Sequence, residues 1–261
     1  MTVDILFSGS SGNCTLIRHG ANAILVDCGR SAKAVCTALC DAGCDVSQID
    51  AIFITHEHSD HTSALASLLS RRDIPVHITA PSAENIKDPG AARERFVVHP
   101  VSYTERIGSF TVTSFPLPHD SAAHVGYIIE DDGGDRLGIA TDMGRVTDEA
   151  VEHLSGCRRV MLEANHDVEM LKEGPYPSFL KQRVLSKRGH LSNADCAELA
   201  CTLASNGCEV IALAHLSPEN NVPTLAHAEV RRALDSSGHG GVRVVVADRT
   251  FAVHLPDGAE V

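Results

Sequence analysis

The residues with the clearest chemical potential stand in one short run, His56-Glu57-His58-Ser59-Asp60-His61. Its imidazoles and carboxylate are donors for a divalent cation such as zinc, iron or manganese. No cysteine interrupts the run, which speaks against a closed structural zinc site built on thiolates. A metal held at such a site polarises water, so metal-assisted hydrolysis is the chemistry expected.

Other donors stand just past apolar stretches. His119 follows Phe115-Pro116-Leu117-Pro118, Asp142 follows Ile139-Ala140-Thr141, His215 follows Ala212-Leu213-Ala214, and Asp27 closes Ile24-Leu25-Val26. Singly, such a histidine is more often a capped or surface residue. Their shared place after an apolar stretch suits one rim.

The elements that must position them can be read from the apolar pattern. Short β-branched runs recur at Ile5–Phe7, Ala23–Val26, Ala51–Ile54, Val76–Thr79, Thr111–Phe115, Val125–Ile129, Leu137–Ala140, Val160–Leu162, Val210–Ala214 and Val242–Val246, and they predict strands. Helical patterns cover Ser31–Ala42, Ser63–Ser70, Ser192–Ser205 and Thr224–Leu234. Two mixed sheets packed together with helices outside satisfy this order, an α/β fold. Neither a repeat nor a linker divides the chain, so one domain over 1–261 is expected.

Composition sets further bounds. A hydrophobic content of 43% allows a large core, and no apolar run approaches the ~18 residues of a membrane span. The start Met1-Thr2-Val3-Asp4 is unlike a signal peptide, and the nine scattered cysteines include no Cys-x-x-Cys pair. A soluble, cytoplasmic protein with reduced thiols and no membrane partner is expected. The net charge of −12 opposes bulk binding of nucleic acid, so any phosphate contact must be local. Lys172, Lys181, Arg183, Lys187 and Arg188 make one such basic stretch.

A strand followed by His-x-His-x-Asp-His resembles the signature of the metallo-β-lactamase superfamily, and the later motifs follow in its order. The resemblance implies an αββα four-layer sandwich and two metal ions, zinc foremost, with manganese or iron as alternatives. It implies that His56, His58 and His119 hold one ion and that Asp60, His61 and His215 hold the other, with Asp142 bridging. It also implies that Asp27 orients the metal loop by hydrogen bonds.

Within the superfamily, the similarity is to the YycJ/WalJ-like, RNase-Z-like branch. It runs through Phe7–Asn13, Ala51–His61, Leu162–Leu171, Gly189–Asn193 and Ala214–Asn221. The branch implies a cytoplasmic phosphodiesterase acting as a 5′-to-3′ exonuclease on DNA, linked to repair and to cell-wall signalling. Asp60, Glu163 and His190 are then the expected catalytic residues, with Glu163 and His190 resembling the pair that protonates the leaving alkoxide in RNase-Z-like enzymes.

Several features admit two readings. Glu163 could cap a loop, and His190 could simply precede a helix capped by Ser192. The Ser8–Asn13 turn could offer Ser10 and Asn13 to phosphate or be a plain hairpin connection. The string containing His166 and Asp167 suggests a substrate loop or a support. Lys181, Arg183, Lys187 and Arg188, with Tyr176 and Phe179 nearby, could grip a DNA backbone or form a solvated helix face. Rival functions are hydrolysis of a small ester (lactone, thioester, β-lactam or cyclic nucleotide), which needs an apolar pocket, and non-catalytic signalling on the same fold.

Overall fold

In the strand Asn22–Val26, Ala23 and Leu25 point to one face and Ile24 and Val26 to the other, and all four are buried. A strand apolar on both faces has to lie between two layers. The computed structural model describes residues 1–258 and shows both layers.

One seven-stranded sheet holds β1 (Thr2–Phe7), β2 (Cys14–His19), β3 (Asn22–Val26), β4 (Ala51–Phe53), β5 (Val76–Thr79) and β6 (Phe96–His99) in that spatial order. The second, also seven-stranded, holds β7 (Thr104–Ile107), β8 (Phe110–Pro116), β9 (Val125–Asp131), β10 (Arg136–Ala140), β11 (Arg159–Glu163), β12 (Val210–Ala214) and β13 (Arg243–Val246). The last strand, β14 (Val253–Leu255), pairs with β1 at the far edge of the first sheet. Pairing is antiparallel from β1 to β3 and from β7 to β10, then parallel from β3 to β6 and from β10 to β13.

Helices cover the outer faces. On the first sheet lie α1 (Ala32–Asp41), α2 (Ser59–Thr62), α3 (Leu65–Leu68) and α4 (Ala80–Asn85). The second half adds α5 (Asp148–Leu154), α6 (Val168–Glu173), α7 (Ser178–Val184), α8 (Asn193–Ser205) and α9 (Pro223–Ser236). Three apolar clusters follow: one between the sheets, one beneath α1 and α3, and one beneath α5, α8 and α9. This is the expected αββα sandwich.

Two expectations are corrected. Four strands, β2, β6, β7 and β14, lie outside the predicted runs; β7 and most of β6 are half-exposed edge segments without a strong apolar pattern. The helix expected over 63–70 is instead α3 running into a 3₁₀ turn at Leu69–Arg71, with the separate short α2 just before it. The break between α2 and α3 has a tertiary cause. Ala64 N donates to Cys28 O (3.0 Å), while Asp60 O accepts from Asn13 N (2.8 Å), so tertiary bonds replace the helical bond between 64 and 60.

Candidate metal centre and active site

The parallel strands end on one rim, where an open α/β sheet presents its ligands. Asp27 follows β3, the His56–His61 run follows β4, Asp142 follows β10 and His215 follows β12. Asp27, Asp142 and His215 all take positive φ, 61°, 55° and 55°, among five non-glycine residues that do so among the described residues. Left-handed backbone is uncommon outside glycine, though Asp and His adopt it more readily than most residues, and here it occurs where each chain segment leaves its strand at the shared rim.

The donors form adjoining groups. Ligand atoms of His56, His58 and His119 lie within 4.8 Å of one another, as do those of Asp60, His61 and His215, and those of His56, His61 and Asp142. Asp142 thus stands between the first two groups. His215 Nε2 and Asp142 Oδ2 are buried with no hydrogen-bond partner among the described residues. Orphaned donors of this kind, converging with imidazoles and a second carboxylate, fit two divalent ions.

Second contacts fix which nitrogen each ring turns inward. His61 Nδ1 lies 2.7 Å from Asp27 Oδ2, and Thr55 N and Oγ1 donate to Asp27 Oδ1 at 2.9 and 3.0 Å. His119 Nδ1 meets Gly189 O at 3.2 Å, and Thr55 Oγ1 is 3.1 Å from His56 Nδ1. Asp27 therefore links the loop after β4 at both Thr55 and His61.

The electrostatics are those of a cation site. Burial, then the surrounding imidazoles, holds His56 well below its usual pKa, so the ring is neutral and able to ligate. Burial also opposes charge on His215, yet Asp142, Asp60 and Glu163 together push it up to about 10. The Asp142 carboxyl, which burial alone would raise, is held far below the carboxylate range by His215, His61, His119 and His190. A field that draws a proton onto buried histidines is one that a metal cation can satisfy in its place.

Glu163 is fully buried and fully hydrogen-bonded. Its Oε1 faces His190 Nδ1 at 2.7 Å and His215 Nδ1 at 3.0 Å, while Oε2 accepts from Met143 N (2.8 Å) and Leu191 N (3.0 Å). It has no route to a substrate, so the catalytic expectation for it is corrected to a positioning one. His190 does line the cavity over the centre, together with Asp60, His58, Ser10, Arg183 and Leu180.

The other expected substrate residues separate. Ser10 is at the cavity wall, but Asn13 is buried, with Nδ2 3.1 Å from His61 Nε2 and 3.4 Å from Asp60 Oδ2, so it buttresses the metal residues. His166 is 1% exposed and cannot reach a substrate. Asp167 caps α6 through Met170 N. Arg183 pairs with Asp120 at the cavity mouth, and Lys187 and Arg188 line a neighbouring cavity beyond His119. Lys181 instead donates to Lys172 O on the exposed side and lines neither cavity.

Sequence reasoning passed over His124, which packs edge-on against His56 with ring centroids 4.6 Å apart and bonds through Nε2 to Thr141 O at 2.6 Å. A lone histidine before a strand carried no signal. Asp120, Thr55 and Glu57 were similarly silent. Glu57 accepts from Ser82 Oγ and Ala122 N, binding the metal loop to α4 and to the 121–124 loop.

Residues 8–215 match the family model described as the metallo-beta-lactamase superfamily. The chain belongs to that superfamily. As a member, it carries the superfamily's metallohydrolase fold with a donor set that fits two ions. It is 34% identical over 256 residues to exodeoxyribonuclease YycJ of Bacillus anthracis, covering 97% of this chain and 94% of that protein. Its identity to exodeoxyribonuclease WalJ of Streptococcus pneumoniae is 36% over 250 residues, covering 94% and 92%. Among solved structures, the metallo-beta-lactamase fold protein YhfI of Bacillus subtilis superposes with a TM-score of 0.74 at 18% identity, covering 97% of this chain and all of that one. Human tRNase Z, short form, superposes with a TM-score of 0.66 at 18% identity, covering 98% and 100%. These two structures bear on the fold alone. Among the described residues of this superfamily member, no helix is long and apolar enough to cross a membrane.

Proposed function

We propose that this chain works as one cytoplasmic metallohydrolase domain that removes nucleotides from an end of DNA, in the 5′-to-3′ direction, using two divalent ions. Zinc is the ion proposed, with manganese or iron accommodated by the same imidazoles and carboxylates. The observation that carries the reading is the polar cavity over the two donor groups, in a chain similar nearly end to end to relatives named exodeoxyribonucleases.

In this reading His56, His58 and His119 hold one ion, Asp60, His61 and His215 the other, and Asp142 both. The chemistry that two such ions supply when bound is activation of the attacking water and neutralisation of charge on the phosphoryl group. His190 keeps its Nδ1 against Glu163, which leaves Nε2 for the cavity. From there it gives a proton to the leaving sugar oxygen as a general acid. Burial opposes its charge, but Glu163 raises its pKa above the usual imidazole value, which favours the protonated form an acid needs. Arg183 at the mouth offers a guanidinium to a phosphate oxygen.

The cavity measures about 240 Å³. That suits a phosphodiester and part of its sugar rather than a buried apolar ester, whose pocket would be larger and mostly hydrophobic. The test is incubation of the metal-loaded protein with end-labelled single- and double-stranded DNA, alongside a lactone. Metal-dependent shortening from the 5′ end, lost in Asp60→Ala and Asp142→Ala, is expected. Intact DNA under every metal, with lactone turnover instead, overturns the reading.

A further inference from the structure

The sheets meet at their edges as well as through their faces. β6 ends the first sheet, β7 ends the second, and only residues 100–103 separate them along the chain. In this corner His77 of β5, His99 of β6 and Glu105 of β7 each offer a ligand atom within 4.8 Å of the others. None of the three lines the catalytic cavity.

The geometry repeats that of the catalytic donors. His77 Nδ1 lies 2.9 Å from His99 Nε2, and His56 Nε2 lies 2.9 Å from His58 Nδ1. The rings are held in place by a near-parallel series: Phe53 against His77 (4.6 Å, 18°), His77 against His99 (5.1 Å, 13°) and His99 against Tyr103 (3.9 Å, 6°). His77 Nε2 is buried without a partner among the described residues whichever role Nδ1 plays, so this polar pair is kept in the corner at a cost. Two apolar side chains would join the strands without that penalty.

Charge and access also suit a cation. Burial lowers His77 to about 4 and lowers His99 as well, so both rings are neutral and ready to ligate. Glu105 supplies the negative charge. His77 is 3% exposed, while His99 and Glu105 are half-buried and leave an entry path from solvent.

We propose that His77, His99 and Glu105 form a further metal site, in which one divalent ion ties the edge strands of the two sheets together. Two imidazoles and a carboxylate select an ion of borderline softness, with zinc the natural occupant and water completing its shell. The ion's role is structural. It clamps β6, whose Val97 and Val98 are 38% and 54% exposed on an otherwise open edge.

The experiment counts ions. Metal-depleted protein is dialysed against excess Zn²⁺ and analysed by elemental mass spectrometry for the wild type, His99→Gln and Glu105→Gln, both half-buried positions that tolerate substitution. Three ions per chain are expected in the wild type and two in each variant, with hydrolysis of bis(p-nitrophenyl) phosphate unchanged and a smaller Zn²⁺-induced rise in Tm. A wild type that saturates at two ions, or variants that still hold three, overturns the proposal. So does loss of hydrolysis in step with the third ion in both variants, which would assign that ion to the catalytic centre. The count stands whatever substrate that centre acts on.

Discussion

Glu163 Oε1 lies 2.7 Å from His190 Nδ1, and the same oxygen lies 3.0 Å from His215 Nδ1. One buried carboxylate therefore orients both the proposed general acid and a proposed metal ligand. Replacing His190 by Gln should cut kcat on DNA about 10²–10⁴-fold while leaving the metal content unchanged. The loss should be much smaller on bis(p-nitrophenyl) phosphate, whose leaving group needs no proton. Equal losses on both substrates would remove His190 from the acid role. Glu163→Gln should show the His190 defect and, in addition, weaken metal binding about 10–100-fold.

Metal uptake should depend on pH in a definite direction. Without metal, His215 holds a proton up to about pH 10, and ligation has to displace it. Binding should tighten as pH rises, by about tenfold per unit for each proton displaced. Isotherms for Zn²⁺ at pH 6 and pH 8 check this, and affinity independent of pH contradicts it. Chelation should abolish hydrolysis, with recovery on adding metal back.

Gly29 sits where three loops cross. A Cβ there would lie 1.8 Å from Asp60 O and 2.6 Å from Asn13 N. Gly29→Ala should therefore push the Asp60 loop outward, costing about 1–3 kcal/mol of stability and weakening metal binding. Urea denaturation with and without Zn²⁺ measures both. A variant as stable as the wild type would show that the loops can separate freely.

The basic stretch should divide by position rather than by charge. Lys187 lines the cavity beyond His119, whereas Lys181 turns back to Lys172 O. Lys187→Ala should weaken binding of single-stranded DNA and reduce the slope of log affinity against log salt by about 0.7. Lys181→Ala should change neither by a measurable amount. Fluorescence anisotropy across a salt series separates them, and equal effects would refute this assignment of the DNA path.

In the metal-free chain, His77 contributes a pH-dependent term to stability. Its folded pKa of about 4 lies below the ordinary value near 6.5, so the native state binds fewer protons than the unfolded state. This contribution is complete above about pH 6.5 and is lost as pH falls toward 4. The urea midpoint of wild type should fall across that window more steeply than that of His77→Gln, and parallel curves would exclude the effect.

Much of the fold and centre was legible because period and order are local properties. Both faces of β3 and β12 are apolar, so their burial between two layers could be read directly. The run from His56 to His61 stood out by its composition after a strand, whereas His119, Asp142 and His215 were picked out as proposed donors by the order of motifs in the resemblance. Edge strands such as β7 were not legible, since half-exposed residues leave little pattern. The separation of α2 from α3 was not legible for another reason: Asn13 and Cys28, distant in sequence, take the backbone groups of Asp60 and Ala64 that would have joined them.

By itself, the sequence determined two mixed sheets with helices outside and a run of metal donors at a strand end; the two-ion set and the histidine proposed as an acid came through the family resemblance. Only the tertiary structure decided that Asn13 is a buttress, that Glu163 is beyond a substrate's reach, and that Lys181 and Arg183, two positions apart, face different surroundings. It alone brought His77, His99 and Glu105 together. The physical reason is that residue type and spacing specify which side chains can ligate, stack or ionise, whereas burial and direction arise only when separate segments pack and compete for the same hydrogen bonds.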